Sequence, residues 1–217
     1  MNNIILLKDI IYHRIHHMII TGVLPMGSKI SESFLMEKLN ATKSPIRDAI
    51  KKLEAEKLLI RKPKSGTFVF TINQKELEEL LDFRYCLESN ALKLVHKNHN
   101  TKVLVQQLRL IFDKMIVCYE NAQINEYINL DYQFHNTIIT HSNNSYYIES
   151  YNLINARMAA ILTYLKNDVS HIQRGYKQHE NMIVYLENND IDRANQELLH
   201  HISPEHGAYW RLENIKK

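Results

Sequence analysis

One aspartate and three histidines in the second half of this 217-residue sequence have the types and spacing of metal ligands. Asp131 and His135 are four residues apart within a segment of helical periodicity, so both side chains lie on one face of a helix. His179 and His201 follow on two later predicted helices. A helical bundle can bring such groups together in its core. Three imidazoles and one carboxylate suit Zn²⁺, and they also accept Ni²⁺, Mn²⁺ or Fe²⁺.

The same residues allow other interpretations. The chain contains 12 histidines, so ordinary structural histidines can produce a similar pattern. His200 adjoins His201 and is the alternative ligand on the last helix. A metal-dependent hydrolase would use the same ligands and keep one coordination position open for water. However, no His-Glu-x-x-His motif and no candidate general base accompanies them. A helical scaffold whose histidines are structural would bind no metal.

Long helices are the elements that must position these ligands. Beyond Thr71–Lys75 glycine and proline become rare, and apolar residues repeat at helical spacing. The pattern predicts helices over 75–98, 101–121, 124–142, 144–166, 168–188 and 190–203. We therefore predict an all-α bundle of six helices, and a domain covering residues 75–217.

Residues 1–71 have a different character. They contain 12 Lys and Arg against 6 Asp and Glu, whereas the rest of the chain contains 15 against 18. Glycine and proline are concentrated here, which indicates short elements. The periodicity predicts one helix ending at Gly22, a second capped by Ser31 and a third with Ser44 as N-cap and Pro45 at its first position. Apolar residues around a Pro-Lys-Ser-Gly turn predict a hairpin over 58–62 and 67–71.

This order of elements is that of a winged helix-turn-helix, which places its third helix in the major groove and its hairpin against the neighbouring backbone or minor groove. We expect Arg47 to read a base edge near the start of that helix, and its neighbours to contact phosphate. The candidate DNA-binding residues are Thr42, Lys43, Ser44, Arg47, Ser65 and Gly66. The alternative interpretation is a packed helix with a solvated basic face.

The first part of the chain resembles the GntR-type winged helix of bacterial transcription regulators. The resemblance is carried by a turn, a helix start, a recognition helix and the segment before the wing: Gly22-Val-Leu-Pro-Met-Gly27, Ile30-Ser-Glu32, Thr42-Lys-Ser-Pro-Ile-Arg-Asp-Ala-Ile50 and Leu53-Glu-Ala-Glu-Lys-Leu58. Lys43 and Ser33 stand where many members have arginine, and Lys57 replaces a usual glycine. These departures concern the operator sequence rather than the fold.

The rest of the chain resembles the FCD effector domain of the FadR-like branch of that family. The matching residues are Arg84-x-x-x-Glu88, Asp131-x-x-x-His135, Ser142-Asn-Asn144, His179 and Ala194-x-x-x-Leu198-x-x-His201-Ile202. The resemblance implies that Asp131 and the three histidines bind a divalent metal, which helps to hold a small carboxylate effector. It also suggests Arg157 as a charge partner for that carboxylate, with a surface salt bridge as the alternative.

The expected function is that of a homodimeric transcription regulator, a repressor, that binds a pseudo-palindromic DNA operator and responds to a small organic acid. It is not expected to be an enzyme. No apolar run approaches the ~20 residues of a membrane span, and the N-terminus lacks the features of a signal peptide. We therefore expect a cytoplasmic protein without membrane contact.

Overall fold

The computed structural model describes residues 6–165 and 169–203. These form two compact units: one contains the described residues up to Thr71 together with Ala156–Tyr164, and the other contains Ile72–Asn155 and the described residues from Leu165 onward. The prediction of a mostly helical chain with a winged helix-turn-helix and an all-helical domain is confirmed. The elements in chain order are α1 (Leu7–Ile20), β1 (Lys29–Ile30), α2 (Glu32–Leu39), α3 (Lys43–Ala55), β2 (Leu59–Lys62), β3 (Gly66–Val69), α4 (Gln74–Lys97), α5 (Thr101–Glu120), α6 (Ile124–His141), α7 (Ser145–Leu165), α8 (Val169–Glu187) and α9 (Ile191–Ile202).

The first unit packs α1, α2 and α3 around a small apolar core. Ile15, Leu35, Ile46 and Leu53 are fully buried there, so α3 packs against this core through an apolar face. Ser31 caps α2 as predicted, because its hydroxyl accepts a hydrogen bond from the backbone N–H of Phe34 at 3.1 Å. These contacts fix the direction in which α3 leaves the core.

The start of α3 differs from the prediction. The N-cap is Thr42 and the helix begins at Lys43, so Pro45 occupies the third helical position instead of the first. The geometry tolerates this shift because the N–H groups of the whole first turn lack intrahelical partners, and proline loses nothing there. The consequence is that the side chains of Lys43 and Ser44 belong to the exposed first turn itself.

The sheet contains one strand more than the predicted hairpin. Its order is β1-β3-β2, with both neighbours antiparallel to β3. The hairpin turn ends at Gly66, whose φ of +113° is readily adopted only by glycine. The hairpin thus presents Ser65 and Gly66 at an exposed tip.

The second unit is built from long helices whose bounds agree with the six predicted segments to within a few residues. A capping box formed by Asn73 and Glu76 starts α4. α4 packs against α6 and α9, α5 packs against α6 and α8, and α8 packs against α9. The three helices that carry the predicted metal ligands therefore face one interior. None of the described helices is both long and apolar enough to cross a membrane.

The second half of α7 belongs to the first unit. The Thr163 hydroxyl donates a hydrogen bond to the carbonyl of Ile20 at 2.7 Å. The two-domain division at residues 71–75 stays a prediction, and the stretch 204–217 of the predicted helical domain lies outside the described residues.

Candidate metal centre and nucleic-acid surface

Asp131, His135, His179 and His201 meet inside the helical unit, and we call them the Asp–His cluster. One ligand atom from each residue lies within 4.8 Å of the others, and all four residues are buried. α6 supplies Asp131 and His135, while α8 and α9 supply one histidine each. On α9 it is His201, and not the neighbouring His200, that lies with the other three residues.

The distances within the Asp–His cluster fit a bound metal ion. The Nε2 atom of His135 is 3.1 Å from the Nε2 atoms of both His179 and His201. The Nε2 atom of His179 is 3.4 Å from Oδ1 of Asp131. Two ligand atoms each ~2.0–2.1 Å from one ion are about 2.8–3.4 Å apart at angles between 90° and tetrahedral. These three distances therefore fit ligands that share one divalent ion.

Hydrogen bonds on the far side of two rings favour the same role. Nδ1 of His135 donates to Oε2 of Glu88 at 2.6 Å, and Nδ1 of His201 donates to Oε1 of Gln178 at 3.0 Å. A neutral imidazole that donates through Nδ1 presents the lone pair of Nε2 to the centre. Outer partners of this kind orient metal-binding histidines and fix their tautomer.

Glu88 links the Asp–His cluster to a buried arginine. Its Oε1 accepts hydrogen bonds from Nε of Arg84 at 2.7 Å and from the hydroxyl of Tyr151 at 2.9 Å. Burial by itself would raise the pKa of Glu88, but its interactions and hydrogen bonds with His135 and Arg84 outweigh burial and lower that pKa to about 2. Glu88 is therefore a carboxylate at neutral pH, and the guanidinium of Arg84 is its counter-ion.

One nitrogen of the Arg84 guanidinium is left for a further hydrogen bond. Its side chain is 2% exposed, yet its Nη1 atom has no hydrogen-bond partner among the described residues. Burial lowers the pKa of Arg84, but the carboxylate of Glu88, followed by Tyr151 and Asp131, raises it above its usual value. The guanidinium is linked to the Asp–His cluster through Glu88, which accepts hydrogen bonds from both Arg84 and His135. The sequence pattern gave Arg84 and Glu88 no role. Two charges four residues apart on an otherwise apolar face of α4 were the signal that could have identified them.

The predicted DNA-binding residues lie on exposed parts of the first unit. Arg47 is on the first turns of α3, and its Nε contacts both carboxylate oxygens of Glu32, at 2.9 and 3.0 Å. Nζ of Lys43 is 3.9 Å from the same carboxylate. Thr42, Ser44, Ser65 and Gly66 are exposed. One acidic residue on α2 thus aligns two cations beside the free N-terminus of α3.

Arg157 and Tyr151 are both on α7 but belong to different units. Arg157 is in the part of α7 that belongs to the first unit, with its guanidinium carbon 5.2 Å from the ring centre of Phe70. Tyr151, one and a half turns earlier, belongs to the helical unit and contacts Glu88. The effector role of Arg157 stays a prediction.

Comparisons with known proteins agree with this architecture. Residues 7–69 match the gntR family of bacterial regulatory proteins, and residues 79–204 match the FCD domain. The gluconate operon transcriptional repressor of Bacillus licheniformis is 29% identical over 179 residues, covering 80% of this chain and 73% of that protein. A probable D-xylose utilization operon transcriptional repressor of Paenarthrobacter nicotinovorans is 24% identical and covers 84% of this chain and 79% of that protein.

Solved structures share the fold. McbR/YncC of Escherichia coli superposes with a TM-score of 0.81 at 21% identity, covering 95% of this chain and 98% of that one. A GntR regulator from Rhodococcus sp. RHA1 has a TM-score of 0.79 at 14% identity, covering 92% of this chain and 95% of that one. The chain therefore belongs to the GntR family of bacterial transcriptional regulators, with an FCD domain after its winged helix.

Proposed function

We propose that this chain is a homodimeric transcriptional repressor whose DNA binding is controlled by a small organic acid bound beside a divalent metal ion. The observation that carries the proposal is the buried Asp–His cluster in a chain that also presents a cationic recognition helix. Repression is supported by two relatives, a gluconate operon transcriptional repressor and a probable D-xylose utilization operon transcriptional repressor. The family and its relatives are regulators rather than enzymes, so the hydrolase alternative has no support.

The DNA-binding half of the proposal depends on the first turns of α3. Arg47 and Lys43 are exposed beside backbone N–H groups that have no intrahelical partner. Such a helix end attracts phosphate, and an arginine can bind a guanine edge through two hydrogen bonds. Two copies related by a two-fold axis would read a pseudo-palindrome.

Selection of binding sites from random double-stranded DNA tests this half. The selected sequence should be a pseudo-palindrome, and Arg47→Ala should weaken its binding by ~1–3 kcal/mol and relax the preference at one base pair. Lys93→Ala is the matched control, because Lys93 is an exposed cation of α4. Equal losses in both variants would show a general charge effect instead of base reading.

The ion-binding half depends on the charges buried around the Asp–His cluster. Among the described buried side chains, the permanently charged ones are Arg84, Glu88 and Asp131, which sum to one negative charge if the histidines are neutral. A divalent ion on the four ligands would supply a net positive charge, and uncompensated buried charge is costly. A monoanionic carboxylate would restore neutrality, with Nη1 of Arg84 as a donor for it.

Metal analysis combined with thermal unfolding tests this half. Purified protein should contain about one divalent ion per chain, and a chelator should lower the melting temperature. A ligand at 100 times its Kd stabilises a protein by about 2.7 kcal/mol, so stabilising acids are detectable in a screen of small carboxylates. Their effect should vanish with the chelator. If the acid still binds to the Arg84→Met variant but not to the Arg157→Met variant, the carboxylate is bound by Arg157, as the sequence predicted.

A further inference from the structure

A buried hydroxyl without a partner lies beside the Asp–His cluster. Tyr127 is 4% exposed, and its hydroxyl oxygen has no hydrogen-bond partner among the described residues. Tyr127 is one helical turn before Asp131 on α6, so both side chains point to the same side of the helix. A buried hydroxyl normally finds a partner, because leaving it unpaired costs free energy. The missing partner is therefore expected to be a bound molecule.

A glycine in the middle of α8 leaves space at the same place. Gly175 is one turn before His179, and its φ is outside the left-handed region that favours glycine. A Cβ atom at Gly175 would lie 3.6 Å from Cε1 of His201 and 4.0 Å from the hydroxyl oxygen of Tyr127, both ordinary contacts. Glycine destabilises a helix interior relative to alanine. Packing among the described residues gives no reason to keep it.

The place that a Cβ atom would take at Gly175 is within 4.0 Å of both a ring atom of His201 and the Tyr127 hydroxyl oxygen. Cε1 of His201 is bonded to Nε2, the atom that belongs to the Asp–His cluster. A molecule held by the ion and extending over Gly175 would reach the tyrosine hydroxyl. Burial, followed by the charge of Asp131, raises the pKa of Tyr127. The side chain is therefore a neutral phenol, which can both donate and accept a hydrogen bond.

We infer that Tyr127 and Gly175 form a subsite for a hydroxyl group of the effector, which makes the effector a hydroxy acid rather than a plain carboxylic acid. This inference rests on the proposed function, because it assumes that an acid binds at the Asp–His cluster. Arg84 and the ion would hold the carboxylate end. Tyr127 would then favour acids that place a hydroxyl group within hydrogen-bonding distance of its own hydroxyl.

Matched pairs of acids that differ in their hydroxyl groups test the inference: malate against succinate, lactate against propionate, and gluconate against hexanoate. The full chain is loaded with Zn²⁺, and binding is measured by calorimetry. We expect the hydroxy member of at least one pair to bind about tenfold more tightly than its partner, the size of one net hydrogen bond. Tyr127→Phe should remove this preference and leave binding of the plain acid unchanged. Tyr132→Phe, on another face of α6, is the control and should preserve it.

Unfolding without any acid provides a second measurement. Tyr127→Phe removes an unpaired buried hydroxyl, so the melting temperature should stay the same or rise. Gly175→Ala should raise it, because alanine favours the helix and meets only ordinary contacts. The same alanine should weaken binding of the preferred hydroxy acid at least fivefold. Higher stability combined with weaker binding of the acid is the result expected if Gly175 leaves room for a ligand.

The outcomes separate this inference from the proposed function. Zn²⁺-dependent binding of acids with no preference for the hydroxy member, or a preference that survives Tyr127→Phe, overturns the subsite and leaves the repressor intact. A lower melting temperature for Tyr127→Phe also overturns it, since the hydroxyl would then have a structural partner. If no acid in the panel binds in the presence of Zn²⁺, both the subsite and the acid-responsive function are wrong.

Discussion

Replacing Glu88 by glutamine tests whether the buried charges hold the Asp–His cluster together. The carboxylate of Glu88 is fully buried and accepts hydrogen bonds from three donors, on Arg84, His135 and Tyr151. A glutamine side chain has nearly the same shape, but its NH₂ group would face one of these donors. The substitution also leaves the Arg84 guanidinium without its counter-ion.

The expected loss of stability is large. Removing one partner of a buried ion pair costs about 3–5 kcal/mol, whereas removing both partners costs much less than the sum of the single changes. We therefore expect Glu88→Gln to lower the free energy of unfolding by about that amount, a major part of the ~5–15 kcal/mol of a typical domain. The double variant Arg84→Met/Glu88→Gln should recover about half of it. Metal affinity should fall 10–100-fold, because His135 loses its outer partner.

Denaturant unfolding and Zn²⁺ competition with a chromophoric chelator measure the two effects separately. Glu79→Gln is the control on the same helix, since Glu79 is exposed and pairs with the exposed Lys75. It should change stability by less than about 0.5 kcal/mol. The reasoning is refuted if the free energy of unfolding of Glu88→Gln is within about 1 kcal/mol of that of the wild type. It is also refuted if the double variant loses as much stability as the two single variants together. Either result would mean that the charges do not act as a buried pair.

Three further predictions concern other sites. Glu32→Gln frees Arg47 from an exposed ion pair, so DNA affinity at low salt should rise up to about fivefold. Binding titrations at two salt concentrations measure this change. An unchanged affinity would mean that Glu32 does not compete with DNA for Arg47. His201→Ala should abolish stabilisation by Zn²⁺ in thermal unfolding, whereas His200→Ala should retain it; equal behaviour would contradict the assignment. Burial and neighbouring cations lower the pKa of His16, so the folded state binds fewer protons than the unfolded state, and stability should fall as the pH drops below about 6.5. His16→Gln should reduce that fall between pH 7.5 and 5.5, and an identical pH profile would exclude His16 as its source.

The sequence predicted those elements that local pattern determines. Helical periodicity located every helix of the described residues, and Ser31 was recognisable as a cap from its type and position. β1 was missed because two residues show no periodicity, and its pairing with β3 depends on the tertiary fold. The N-cap of α3 was misplaced by two residues, since both Thr42 and Ser44 are good capping residues.

The Asp–His cluster was predictable only in part. The pair at i and i+4 on α6 and the histidines of two later helices were visible as candidates, and the resemblance to the FCD domain favoured a metal site over the other interpretations. The outer partner of His135 is 47 residues away on α4, and no spacing rule connects them. Tyr127 and Gly175 were also missed. A tyrosine in a helix usually indicates packing, and only the structure shows that its hydroxyl has no hydrogen-bond partner among the residues described.

The buried charges imply an order of binding events. Before an ion binds, Arg84, Glu88 and Asp131 carry one net negative charge, so an acid entering beside Asp131 would meet repulsion in a medium of low dielectric. A divalent ion reverses the sign and makes the same position attractive. Ion and acid should therefore bind cooperatively, and linkage requires that each raises the affinity of the other by the same factor. If the proposed function is correct, the acid would bind well only to protein that already holds the metal. With the ion at a constant level, the acid alone would then decide whether the regulator binds DNA.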